Sequence, residues 1–224
     1  QMTGSFTRSK EKNMTKLGII GAMDQEVETL VAAMENFKEE TVAGSRFFEG
    51  TLEGLPAVVV QCGIGKVNAA LCAQILCSNY QVTHLVNTGI AGSLTPELDI
   101  ADLVISQDAM YHDFDCTEFG YPYGQVPRMD TLTFPANEQL MAWAFAAAEA
   151  VNPGHAKIGR VASGDQFIAN KERKDFIIEK TQALCTEMEG AAIAQTAYRN
   201  GVPFVILRAI SDKADNSAEM DYPT

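Results

Sequence analysis

Short apolar runs alternate with longer amphipathic stretches along most of this chain. Residues 16–22 (KLGIIGA) form a run of strand length, after which Met23, Val27, Leu30, Val31 and Met34 recur at helical spacing, a strand–turn–helix unit. Apolar segments at 47–52 and 57–62 flank Glu53-Gly54-Leu55-Pro56, which predicts a hairpin with Pro56 just ahead of its second strand. A helix is expected over 67–78, then a buried strand over 84–87 ending at Thr88-Gly89-Ile90-Ala91-Gly92. Strands follow at 103–110, 157–162, 183–185 and 204–207, interleaved with helices at 137–150, at 171–180 and from Glu189 onward. A hairpin combined with alternating strands and helices predicts an α/β fold, a mixed sheet covered by helices on both faces. Residues 109–130 break the pattern: Tyr111, Phe114, Phe119, Tyr121 and Tyr123 stand among turn residues without periodicity, as in loops that cover a ligand or a subunit.

Composition narrows the picture. At 224 residues and 46% hydrophobic, with no repeat or linker, the chain reads as a single domain over residues 16–224. Residues 1–15 are expected to be a leader outside it, polar, without a signal-peptide core, with Met14 as the natural start. A net charge of −12 argues against nucleic acid as a partner, and apolar runs no longer than a strand argue against a membrane span. Five cysteines, none in CxxC spacing, fit a reducing cytoplasm.

Most motifs have an ordinary reading. Gly63-Ile64-Gly65-Lys66 is not a P-loop, because Val67 follows the lysine and no earlier glycine stands at the required spacing; its glycines let backbone approach a ligand or a strand end. His112, Asp113 and Asp115 lack the further His or Cys that would complete a metal shell, and read as a hydrogen-bonded loop anchor. No histidine stands where it could activate a cysteine nucleophile. What remains is a set of carboxylates: Glu26 in the first helical turn after the first strand, Glu189 at the start of a small-residue helix, and Asp212 at the end of the strand that begins at Phe204. Three acids at the ends of three strands of one sheet would converge on one rim, where α/β folds place ligands, in acid, base and hydroxyl-binding roles.

Six segments in order, residues 18–26 (GIIGAMDQE), 62–67 (CGIGKV), 87–89 (NTG), 163–168 (SGDQFI), 187–189 (EME) and 208–212 (RAISD), resemble the 5′-methylthioadenosine/S-adenosylhomocysteine nucleosidases of the purine nucleoside phosphorylase superfamily. The resemblance implies a three-layer α/β/α sandwich with a mixed central sheet, and a homodimeric, cofactor-free enzyme acting on a small adenine nucleoside and water. It assigns Asp212 as the acid at the purine and Glu26 as the base for water. Glu189, Met188 and Arg208 would lie at the ribose, with Phe167, Ile168 and Ser211 at the adenine. Met23, Ile64 and Ile90 would form an apolar wall, and Cys116, Phe119, Tyr121, Pro127 and Tyr222 the 5′-alkylthio pocket, some of them contributed by the neighbouring subunit. Arg208 is also expected to neutralise and position the acids.

Two alternatives stay open at this point: a phosphorolytic enzyme of the same fold, and a binding protein that keeps the fold without turnover. Phosphate would need converging cations, whereas Asp24, Gln25, Glu26 and Asn87 make the nucleophile side acidic or neutral. A binding protein need not retain Glu26 and Asp212 together. Relatives continue past the position of Tyr222 into an amphipathic helix, so the resemblance implies either a trimmed sequence or a missing helix; Ile90 stands where relatives commonly carry Ser or Thr.

Overall fold

The structure, a computed structural model, describes residues 14–215. The leader through residue 13, Tyr222 and the expected lid beyond Asp215 lie outside the described residues.

Ten strands form one mixed sheet, and its order follows from which strands are apolar on both faces. β1 (Leu17–Gly21) lies between β4 (Leu55–Gln61) and β5 (His84–Ser93), parallel to both, with Ile19 opposite Val59 and Val86. β3 (Ser45–Leu52) and β2 (Glu35–Val42) extend the sheet antiparallel on the β4 side. On the other side β5 pairs in parallel with β10 (Phe204–Asp212), which pairs with β6 (Leu103–Tyr111). β6 continues to β8 (Ala156–Ser163), β8 to β9 (Cys185–Glu187), and β9 back to the end of β5, so these five strands close on themselves. β7 (Phe134–Pro135) adds a short pairing to β6.

Alternation along the strands assigns the helices to faces. Ile20, Val58 and Val60 pack with α2 (Lys66–Ser78) and α5 (Gly190–Asn200), whose Ala69, Cys72, Ala73, Ala191, Ala194 and Ala197 let the two helices approach. Ile19, Ala57 and Val59 pack on the opposite face with α1 (Asp24–Ala33). α3 (Glu138–Val151) packs through Leu140 on Ile105 and Val205, and α4 (Lys171–Thr181) through Ile177 on Ala162. Asn137 and Asn170 cap α3 and α4 by accepting from the N–H of Leu140 and Arg173.

Four expectations need correction. β2 was not anticipated: seven of its eight residues are exposed, so no apolar alternation marks it, and its charged side chains guard a sheet edge. The strand expected over 84–87 does not end there, because β5 runs on through 88–92 to Ser93. β9 lies two residues later than expected, so Glu187 ends a strand and Glu189 becomes the N-cap of α5. Pro56 lies inside β4, opposite Thr51; the parallel ladder to β1 begins only at Ala57, so the missing N–H of Pro56 removes nothing from that ladder. The hairpin itself closes at Glu53 and Gly54, both at positive φ, the two-residue turn that matches strand twist.

Candidate active site

The carboxyl ends of β1, β5, β9 and β10 meet around an open cleft of about 480 Å³, solvent-facing space included. Among the expected site residues, Met23, Glu26, Ile64, Ile90, Phe167, Met188, Glu189, Arg208, Ser211 and Asp212 line it. A recess of about 230 Å³ continues from it past Phe167 to Ile168 and Gln166. Cys116, Phe119, Tyr121 and Pro127 do not line the cleft of their own chain; Phe119 is 81% exposed.

Each acid is held differently. Glu26 turns back from α1, so that Oε2 accepts from the N–H of Ala22 (2.5 Å) and Met23 (3.0 Å), and Oε1 from the N–H of Ile90 (3.2 Å). Gly89 makes this possible: a Cβ there would stand 2.7 Å from Glu26 Oε1 and collide with the guanidinium of Arg208. Asp212 follows a register shift at Ser211 in the β5–β10 ladder, an irregularity that re-aims the strand end. Its Oδ2 accepts from the Ser211 hydroxyl at 2.8 Å and its Oδ1 from the N–H of Ala214 at 2.7 Å. Glu189 is buried, with Oε2 accepting from the N–H of Met188 at 3.0 Å. Burial pushes its carboxyl up to about 7; Arg208 opposes the rise, and the charges of Glu187 and Glu26 add to it.

Arg208 sits beneath the acids, 1% exposed. Nη2 reaches Glu187 Oε2 at 2.5 Å and Asn87 Oδ1 at 2.5 Å, and Nη1 reaches the carbonyl of Ile90 at 3.2 Å. Burial works against its charge, yet Glu187, Glu189 and Glu26 together hold its pKa above the ordinary value. The guanidinium is thus spent on buried partners and supports the cleft from below.

Residues 16–223 match the phosphorylase superfamily. A 5′-methylthioadenosine/S-adenosylhomocysteine nucleosidase of Halalkalibacterium halodurans is 44% identical over 210 residues, covering 93% of this chain and 90% of the relative. The chain belongs to the 5′-methylthioadenosine/S-adenosylhomocysteine nucleosidase family. Among solved structures, the nucleosidase from Neisseria meningitidis in complex with methylthio-immucillin-A has a TM-score of 0.89 at 38% identity, covering 92% of this chain and 89% of that one. The futalosine hydrolase of Helicobacter pylori strain 26695 has a TM-score of 0.87 at 34% identity, covering 92% and 88%.

This nucleosidase family member also holds residues to which sequence reasoning gave no role. Glu187 accepts from the Ser163 hydroxyl and from the N–H of Glu189 (3.1 Å) and Gly190 (2.8 Å), so it both caps α5 and pairs with Arg208. Its place in the 187–189 motif was the only signal available. Thr186 lines both cleft and recess, and its buried hydroxyl has no partner among the described residues. The expected loop anchor is real for Asp113, which accepts from Lys66 and Asp165, and for Asp115, which accepts from Thr117. The buried ring of His112 has no hydrogen-bond partner among the described residues, and burial lowers its pKa. No three potential ligands cluster as a metal site among the described residues, and no helix there is long and apolar enough to cross a membrane.

Proposed function

We propose that this N-glycosyl hydrolase breaks the C1′–N9 bond of 5′-methylthioadenosine and S-adenosylhomocysteine with water, and that Asp212, Glu26 and Glu189 divide the chemistry. The reading rests on one observation: Glu26, Glu189 and Asp212 border one cleft together with Glu187, which is paired to Arg208; the recess of that cleft ends at Ile168, whose main-chain N–H and C=O have no partner among the described residues. An unpaired main-chain donor and acceptor beside Phe167 suit the hydrogen-bonding edge and the flat face of adenine.

Asp212 donates a proton to N7 as the C1′–N9 bond breaks, so adenine leaves neutral, and the Ser211 hydroxyl orients the carboxyl for that transfer. Glu26 takes a proton from the water whose oxygen joins C1′. Glu189 accepts from the ribose 2′ and 3′ hydroxyls, with Met188 beneath the sugar. The cluster carries one cation, Arg208, against Glu187, Glu189 and Glu26, so its surplus negative charge favours the oxocarbenium-like sugar of the transition state.

Hydrolysis is favoured over phosphorolysis because Arg208 is the only cationic side chain lining the cleft among the described residues and is committed to Glu187 and Asn87. An incoming phosphate dianion would meet carboxylates, whereas water needs only a base. The 5′ pocket is completed by a second copy of the chain. Ile64, just ahead of α2, and Val67 and Leu71 on the outer side of that helix are exposed apolar residues beginning at the cleft, and the aromatic loop bearing Phe119, Tyr121, Pro127 and Cys116 would reach the neighbouring site. Five free cysteines, three of them buried, suit a cytoplasmic enzyme.

Adenine release from 5′-methylthioadenosine, followed with and without phosphate, tests the reading. Phosphate-independent release that falls about 10²–10⁴-fold in both Asp212→Asn and Glu26→Gln is expected. Release that requires phosphate would transfer the chain to the phosphorolytic class, and binding without release would make it a binding protein.

A further inference from the structure

Two motifs that the proposed chemistry leaves idle, the glycine turn ending in Lys66 and the His112-Asp113 segment, meet each other in the fold, and they meet at the loop that carries Phe167 and Ile168. Lys66 Nζ lies 2.7 Å from Asp113 Oδ2 and 3.7 Å from Asp165 Oδ2. The Lys66 N–H donates to Asp165 Oδ1 at 2.8 Å, and the Asp165 N–H donates to the same Asp113 oxygen at 2.9 Å. Lys66 and Asp113 keep only 22% and 11% of their side chains exposed, so this is a sheltered contact rather than a solvated surface pair.

Sequence explains why these parts can join. Gly65, the N-cap of α2, has no side chain to satisfy the helix amides, and its φ of +97° suits glycine. Asp165 supplies the missing acceptor from another part of the chain, and a Cβ on residue 65 would stand 3.2 Å from its Oδ1. The 164–170 loop is therefore fastened at its start by Asp113 and Lys66, and at its end by Asn170, which caps α4. Between those fastenings Phe167 and Ile168 form no main-chain hydrogen bond with any described residue. The Ile168 side chain is buried with Leu94, Ala162 and Ile177, Gly164 donates to the Glu187 carbonyl and Arg173 to Gln166, so the fastening at Asp165 acts together with these contacts in setting where the free main-chain edge sits in the recess.

We propose that Lys66 is a positioning residue for purine recognition: it latches the 164–168 loop to the Ile64 turn through Asp113 and Asp165, and so holds the main chain of Ile168 at the depth that adenine requires. This rests on the proposed function, since it assumes that the recess receives the purine. Lys66 touches no reacting atom; its effect reaches the substrate through Asp165 and the loop.

The test compares wild type, Lys66→Met, Lys66→Arg and Asp165→Asn by steady-state kinetics with 5′-methylthioadenosine, calorimetric binding of adenine, and hydrogen exchange of the 164–168 amides. Lys66→Met should raise KM and the adenine Kd together by about tenfold, the scale of one lost charge-assisted contact, while kcat stays within about threefold. Asp165→Asn should shift both in the same direction, and Lys66→Arg should restore most of the loss. Exchange should quicken in 164–168 and remain unchanged in β1, β5 and β10. If wild type binds adenine and Lys66→Met binds it equally well, the latch is wrong and the proposed function stands. Parallel loss of kcat, KM and melting temperature would assign Lys66 a structural role and also overturn the latch. If wild type neither binds adenine nor releases it, the latch and the proposed function fall together.

Discussion

Glu189 links burial to binding. Its pKa, pushed up to about 7 from 4.5 chiefly by burial, leaves it partly protonated near neutral pH. Because the folded value lies above the unfolded one, the folded chain holds extra proton between those limits. The contribution of Glu189 to stability is therefore complete below about 4.5 and is lost as pH rises through 7. In the role proposed for Glu189, substrate reverses the preference, since an acceptor for two ribose hydroxyls works best ionised. We expect kcat/KM for 5′-methylthioadenosine to fall on the acid side of about 7, with proton release on binding detectable by calorimetry in buffers of different ionisation heat. Glu189→Gln should flatten that acid limb and lower kcat/KM by about 10–100-fold through lost charge-assisted hydrogen bonds. An unchanged limb in this variant would assign the titration to another group.

At the scale of elements, the β5–β10 pair does the positioning, and it requires the glycine at 89. Gly89 stands opposite Arg208, so a methyl there would displace either the guanidinium or Glu26. Gly89→Ala should lower kcat about 100-fold or more, with a loss of stability from the disturbed Arg208–Glu187 pair. Full activity in this variant would mean that both side chains have room which the packing denies them. The same pair shows what was legible in advance. Runs such as residues 57–60 and 204–207 announce central strands because side chains on both faces are buried, and Glu26 and Asp212 stood out as acids beside such runs. The continuation of β5 was hidden because Gly89, Ala91 and Gly92 imitate a turn; their small size serves neighbouring side chains rather than chain reversal. Glu187 was equally hidden, since its pairing with Arg208 exists only once β9 and β10 both lie beside β5. β2 gave no apolar signal at all, being an exposed edge strand.

Across the molecule, the described residues of one chain line the proposed purine recess and carry the acids, while the aromatic loop expected around the 5′ substituent stands apart from the cleft. Among the described residues that the family resemblance assigns to the 5′-alkylthio pocket, Cys116, Phe119, Tyr121 and Pro127 lie on a loop that does not line the chain's own cleft. α2 buries Ala69, Cys72, Ala73 and Leu76 on one side and presents Val67, 71% exposed, and Leu71, 49% exposed, on the other. A helix apolar on both sides invites a second partner, and the exposed apolar residues that begin at the cleft with Ile64 favour a second copy that carries its aromatic loop to the site. Leu71→Glu should therefore yield a monomer by sedimentation velocity. Because the recess at Ile168 belongs to one chain, the monomer should bind adenine within about threefold of wild type, while KM for 5′-methylthioadenosine rises about tenfold or more as the alkylthio group loses its apolar contacts. A wild-type monomer with low KM would refute the shared pocket. A monomeric variant with unchanged KM would leave the dimer intact as an assembly while removing its part in recognising the 5′ group.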